Sequence, residues 1–192
     1  MTAAAILTGG EARRFQGRDK SRLLVGGVSI LDRQLELAAG VASEVFIVTS
    51  EAREADFPPS AAARIVIDRY PGTGPLGAIV TALEATDASV LIVLGGDMPA
   101  LTAPLLAAIL RRAQQPPEPD VCLADAGNGI EPLAAAYRQS ARDTLARALD
   151  AGQLSLRDAL ATLRLRVLDP AAVSAFGDPG AIFRNINSPG DL

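Results

Sequence analysis

The segment Leu7-Thr8-Gly9-Gly10-Glu11-Ala12-Arg13-Arg14-Phe15-Gln16-Gly17-Arg18-Asp19-Lys20 combines adjacent glycines with arginines and a lysine. Glycine has no Cβ, so backbone N–H groups can approach phosphate oxygens closely. Arg14 and Lys20 would supply the countercharge, and together these features suit a loop wrapped around a triphosphate. Of the 18 basic residues, Lys20 is the one lysine. A compact ammonium kept where arginine is otherwise the default points to a tight phosphate contact that a planar guanidinium fork would not fit. The loop is not a P-loop, because Arg18 and Asp19 stand between Gly17 and Lys20, where that motif has glycine next to lysine.

A second cluster, Gly72-Thr73-Gly74-Pro75-Leu76-Gly77, matches G-x-G-x-x-G. Pro71 intervenes between the preceding strand and the glycines, and the usual first βαβ position is vacant, so the dinucleotide fingerprint is set aside. The expectation instead is a loop packed over a base and ribose, with glycines making room for planar groups and Pro75-Leu76 opening a helix. Gly95-Gly96-Asp97-Met98-Pro99 follows the most apolar run of the chain and puts a carboxylate at the carboxyl end of a central strand. Ligands bind at that edge of open α/β sheets. A lone aspartate there suits Mg²⁺, which takes one or two carboxylates plus phosphate oxygens; a cap for the following helix is the alternative. Asp68, ending another strand, is either a ligand-orienting group or a strand-end cap. Asn185 and Asn187 alternate in a strand-like way, which would set two amides on one face to hold phosphate or a metal-bound water; as residues before Ser188-Pro189 they also suit a turn.

These residues need a scaffold, and the remainder of the sequence supplies one. Residues 3–8, Val45 to Val48, Arg64 to Ile67 and Val90 to Leu94 read as buried strands. Between them, Ser29 caps a helix with Ile30, Leu31, Leu35, Leu37 and Ala38 as its apolar face, and Leu76 to Ala85 form another. This alternation predicts an α/β fold: a mostly parallel sheet with helices on both faces. Further on, Val121 to Ala124 and Glu131 to Tyr137 flank Asn128-Gly129, a tight-turn signal that predicts an antiparallel, mixed sheet edge. Ala141 to Ala151 and Leu156 to Leu163 read as helices, and Arg164 to Leu168 as a late strand. With 192 residues and 49% apolar content the expectation is one domain over residues 1–192.

Composition removes several chemistries. There is no histidine, hence neither the usual zinc ligand nor the usual neutral-pH base. The formal charge of −4, with no basic stripe, argues against a nucleic-acid surface. No apolar run is long enough for a bilayer, and the start lacks the basic flank of a secretion signal, so a cytoplasmic protein without membrane contact is expected. Cys122, the one cysteine, lies in an apolar stretch and is expected to be a buried, inert thiol.

Taken in order, these pieces resemble the MobA-like nucleotidyltransferases, which have a Rossmann-like three-layer α/β/α fold of the nucleotide-diphospho-sugar-transferase type. The family opening L-A-G-G-x-x-x-R-M-G-x-D-K is similar to Leu7-Thr8-Gly9-Gly10, Arg14-Phe15 and Gly17-Arg18-Asp19-Lys20, with Thr8 for alanine, Phe15 for methionine and Gln16 added. G-P-L-x-G resembles Gly74-Pro75-Leu76-Gly77, and C-D-M-P resembles Gly96-Asp97-Met98-Pro99. N-x-N-T-P-E-D-L resembles Asn185-Ile186-Asn187-Ser188-Pro189-Gly190-Asp191-Leu192. The resemblance implies GTP as substrate, Mg²⁺ (with Mn²⁺ as a substitute) on Asp97, and molybdopterin as acceptor. It implies a catalytic set of Lys20, Arg14 and Asp97, and nucleotide contacts from Leu7, Thr8, Gly9, Gly10, Lys20, Asp68, Gly74, Pro75, Leu76, Gly77 and Asp97. It places Asn185 and Asn187 on the acceptor side, and transient contact with molybdenum-insertion proteins or molybdoenzymes is consistent with it. Gly9-Gly10, where related cytidylyltransferases usually have L-A-A-G, leans to guanine. A cytidylyltransferase, a transferase for another phosphate acceptor and a non-catalytic nucleotide carrier are the competing readings.

Overall fold

A computed structural model of the chain describes residues 1–8, 22–57 and 62–186. In chain order the elements are β1 (Thr2–Leu7), a small hairpin of β2 (Leu24–Val25) and β3 (Val28–Ser29), α1 (Ile30–Val41), β4 (Glu44–Thr49) and a 3₁₀ turn at Glu51–Asp56. β5 (Arg64–Ile67), α2 (Gly74–Glu84), β6 (Val90–Gly95), α3 (Ala103–Ala113), β7 (Val121–Asp125) and β8 (Ile130–Arg138) follow. The last elements are α4 (Arg142–Asp150), α5 (Leu156–Leu160), β9 (Leu165–Leu168), α6 (Pro170–Ser174) and α7 (Pro179–Ile182).

The main sheet has the order β5-β4-β1-β6-β8-β7-β9. β5, β4, β1 and β6 pair in parallel, β8 runs antiparallel to both β6 and β7, and β9 is parallel to β7. Because successive side chains of a strand point to opposite faces, each strand feeds two cores. Ala4, Ile6, Ile47, Ile92, Leu94, Cys122 and Ala136 pack with Leu105, Leu106 and Ile109 of α3 and Ala38 of α1 on one side. Ala3, Ala5, Phe46, Val48, Leu91, Val93 and Tyr137 pack with Leu76, Ile79 and Leu83 of α2, Leu145 of α4 and Leu160 of α5 on the other. The mostly parallel, three-layer α/β/α architecture is the one expected from the sequence.

α1 begins as predicted: the Ser29 hydroxyl accepts the Asp32 N–H at 3.0 Å, satisfying a first-turn donor. The second half corrects two expectations. The antiparallel strand is not at the sheet edge, because β8 inserts between β6 and β7 and leaves the edge to β9. Asn128-Gly129 does lie in a tight connection between antiparallel strands: the β7–β8 link spans residues 126–129, with the Asp125 carboxylate accepting the Gly127 N–H at 2.8 Å and Gly127 and Gly129 at φ +91° and +134°. Lastly, the chain leaves α7 without forming a strand through Asn185.

Candidate active site

The order of the sheet creates a switch point. From β1 the chain moves outward to β4 and β5, then returns to place β6 on the opposite side of β1. Strand order therefore reverses between β1 and β6, and open α/β sheets bind ligands beyond the carboxyl ends of the strands at such a point. Leu7 and Gly95 are register partners at that point. The Gly96 N–H donates to the Leu7 carbonyl at 3.0 Å, so the two strand ends are locked together just before both loops depart. A Cβ on Gly96 would lie 2.9 Å from the Leu7 carbonyl oxygen, and this close approach explains the glycine ahead of Asp97.

On the β1 side, buried Thr8 donates its N–H (3.0 Å) and its hydroxyl (3.1 Å) to the Val48 carbonyl. The Arg53 guanidinium donates to the Thr8 carbonyl, is paired with Asp56 at 3.3 Å, and lies over the Phe57 ring at 5.5 Å. Leu7 and Thr8 are thus held rigidly at the root of the glycine-rich loop. Gly9, Gly10, Arg14 and Lys20 lie outside the described residues.

On the β6 side, Asp97 is half-buried and Met98 fully buried. Gln34, a buried polar residue on α1, donates its Nε2 to the Met98 carbonyl at 2.6 Å, and the Ile186 N–H donates to the Asp97 carbonyl at 2.9 Å. The segment carrying Asn185 is thereby brought beside Asp97. Asn185 itself is exposed, and Asn187 lies outside the described residues.

β5 and α2 frame the other flank. Asp68 ends β5; its Oδ1 accepts the Tyr70 N–H at 3.0 Å and the Thr81 hydroxyl at 3.1 Å, and Thr81 in turn accepts the Arg69 N–H. The local geometry is that of a strand-end cap that shapes the 69–73 turn. Gly72 and Gly74 adopt φ of +84° and +67°, which favours glycine at both. Pro75 and Gly74 are exposed at the start of α2, while Leu76 and Gly77 are buried. Gly77 does not make room for a planar ligand, as its position in the motif suggested. A Cβ there would meet Thr73 Oγ1 at 1.9 Å and Tyr70 Cβ at 2.7 Å, so the glycine serves the internal packing of helix against turn.

Sequence reasoning missed three residues at this edge. Gln34 carried a signal, since it interrupts the buried stripe Ile30-Gln34-Ala38 of α1 at i+4 spacing. Arg53 carried none. Glu131, at the start of β8, is half-buried and accepts the Leu133 N–H at 3.0 Å. Burial pushes its carboxyl above the ordinary value; the Leu133 N–H opposes this rise and the Asp97 charge adds to it. Pro132, inside a strand pattern, was the available hint of a backbone irregularity.

The described residues contain no cluster of three or more potential metal-ligating side chains. A single half-buried carboxylate at a strand end, with glycines before it, fits Mg²⁺ shared with phosphate oxygens.

Comparison with known proteins places this geometry. Residues 4–167 match the model of the MobA-like NTP transferase domain. A probable molybdenum cofactor guanylyltransferase from Chloroflexus aggregans is 33% identical, with 100% of this chain and 92% of that protein covered. The crystal structure of molybdopterin-guanine dinucleotide biosynthesis protein A from Archaeoglobus fulgidus superposes with a TM-score of 0.79 at 25% identity, covering 98% of this chain and 94% of that one. The 2-C-methyl-D-erythritol 4-phosphate cytidylyltransferase of Thermus thermophilus shares the fold, with a TM-score of 0.72 at 17% identity over 100% of this chain and 94% of that chain. On the family match, which spans most of the chain and both strands of the switch point, this chain belongs to the MobA-like NTP transferases, a nucleotidyltransferase family.

Proposed function

We propose that the chain transfers GMP from GTP to the phosphate of molybdenum-loaded molybdopterin, giving the guanine dinucleotide form of the cofactor and pyrophosphate. The observation that carries the reading is the convergence of the Leu7-Thr8 root of the glycine-rich loop with the Asp97 turn at the β1–β6 switch point. The names of the relatives indicate the donor and acceptor.

In this reading an oxygen of the acceptor phosphate attacks the α-phosphorus of GTP. The bond from that phosphorus to the oxygen bridging to the β-phosphate breaks, and pyrophosphate departs with the electron pair. The reaction needs no protein nucleophile; it needs positioning and neutralisation of charge. Lys20 and Arg14 would neutralise the phosphates. Leu7, Thr8, Gly9, Gly10 and the exposed Gly74 and Pro75 would frame the base, with Leu76 and Gly77 packing the start of α2 beneath them and Asp68 holding the turn before that loop. Asp97 would hold Mg²⁺ or Mn²⁺, whose contribution when bound is to polarise the phosphoryl oxygens. Asn185 and Asn187 would face the acceptor. Residues 1–192 are taken to act as one catalytic domain, working in the cytoplasm.

The test is pyrophosphate release with GTP, CTP and ATP in turn, with and without molybdenum-loaded molybdopterin, and mass analysis of the product. Acceptor-dependent turnover with GTP alone is expected. Turnover with CTP alone would reassign the base, and wild-type activity in both Lys20→Ala and Asp97→Ala would overturn the mechanism.

A further inference from the structure

The strand that breaks the parallel order brings a second carboxylate to the functional edge. β8 runs against β6, so its beginning lies beyond the carboxyl end of β6. Leu94 pairs with Ala134; Asp97 follows the first by three residues and Glu131 precedes the second by three. A backbone irregularity presents Glu131 there. Ala124 of β7 pairs with Glu131 while its neighbour Leu123 pairs with Ala135, leaving Pro132, Leu133 and Ala134 without partners on β7. The fully buried Tyr137 donates its hydroxyl to the Pro132 carbonyl at 2.9 Å, which fixes the irregular stretch. One Glu131 oxygen accepts the Leu133 N–H; among the described residues no cation and no hydrogen-bond donor reaches the other.

With one oxygen held by the Leu133 N–H and no cation beside it among the described residues, this half-buried carboxylate is open to donors that a ligand brings to the edge carrying Asp97. A carboxylate matches a ring N–H beside an exocyclic amino group, two parallel donors that it accepts bidentately. The 2-amino-4-oxopyrimidine edge has that pattern, and both guanine and pterin carry it. Position separates the two sources. Glu131 stands across β6 from β1, β4, β5 and the Gly74–Gly77 loop, on the same side of Asp97 as β8. We propose that Glu131 is a specificity-determining residue that reads the amino-pyrimidinone edge of the acceptor's pterin. The inference rests on the guanylyltransferase reading for the identity of the acceptor.

The test is equilibrium binding of pterin and of lumazine, which has oxygen in place of the 2-amino group, followed by ligand fluorescence in the full chain and in Glu131→Gln. The glutamine keeps an acceptor for the Leu133 N–H but removes the charge. The wild type is expected to prefer pterin about ten- to a hundred-fold, the range for hydrogen bonds to a charged group. In Glu131→Gln the preference should collapse to about threefold or less, with GTP affinity unchanged within about twofold and the circular dichroism spectrum intact. Wild-type protein with no preference for pterin, whether both ligands bind or neither does, overturns the proposal. So does a Glu131→Gln variant that keeps the preference, or one that loses GTP affinity instead, since Glu131 would then read guanine. Failure of the underlying reading shows separately, as wild-type protein that binds pterin selectively yet releases no pyrophosphate from GTP with molybdopterin.

Discussion

The two halves of the sheet are built for different purposes. Around β1, β4 and β6 the strands are parallel, their carboxyl ends coincide, and the polar groups at that edge hold loops: Gly96 to Leu7, Thr8 to Val48, Gln34 to Met98. Around β7 and β9 the polar groups hold elements together. Asp120 accepts two guanidinium N–H groups of Arg164 at 2.7 and 3.0 Å, the Arg164 main-chain N–H at 3.0 Å and the Ser140 hydroxyl at 2.7 Å, pinning the edge strand and the start of α4. Hydrogen bonds of similar length therefore hold loop roots in one half and pin whole elements together in the other. Which role applies is decided by whether they lie at the carboxyl ends of the parallel strands.

Changes in the two halves should separate activity from stability. The largest effect is expected from Asp97→Ala, which should lower pyrophosphate release by roughly a thousandfold or more by removing the carboxylate at the site of developing charge. Its melting temperature should stay near that of the wild type; a large drop would move Asp97 into the structural class. Gly77→Ala should cost about 1–3 kcal/mol, because the new methyl overlaps Thr73 and Tyr70. It should also raise the apparent KM for GTP as the 70–73 turn shifts, read by urea melts alongside initial rates.

Asp120→Ala should cost about 1–2 kcal/mol of stability, held down because the Arg164 guanidinium is largely exposed and rehydrates, and should leave kcat and KM unchanged. The same contact has a pH signature. The Arg164 hydrogen bonds hold the Asp120 carboxyl well below its ordinary value of 3.8. Its contribution is therefore fully present above that pH and is lost as pH falls below it. Melts of wild type and Asp120→Asn between neutral and acid pH should converge at the acid end; curves that stay parallel would remove the linkage. The smallest effect is expected at Cys122, whose thiol burial pushes up to about 11. Iodoacetamide at neutral pH should leave the folded protein unlabelled by mass spectrometry and label it in denaturant.

Much of the first half was legible in the residues. Val90 to Leu94 and Arg64 to Ile67 are apolar or β-branched runs bounded by turns, and Ser29 followed by an amphipathic stretch is a helix start that depends only on local hydrogen bonding. Leu7 to Gly10, Gly74 to Gly77 and Asp97 could be singled out because each is a short motif tied to a strand or helix end. The second half was less legible. Periodicity marks Glu131 to Tyr137 as a strand but is silent on its neighbour, so the insertion of β8 between β6 and β7 could not be read, nor could the arrival of Glu131 at the edge that carries Asp97. Asp120 and Arg164 are 44 residues apart and neither belongs to a recognisable motif.

Read alone, then, the amino-acid sequence determined the alternating α/β character, the helix start at Ser29 and the position of Asp97 at a strand end, since each depends on residues close in the chain. Tertiary structure decided the switch point between β1 and β6, the packing duty of Gly77, the burial of Gln34 against Met98 and the placing of Glu131 at the edge that carries Asp97. These depend on strand order and on helix–sheet packing. Both follow from the joint free energy of burying two sheet faces rather than from any local segment.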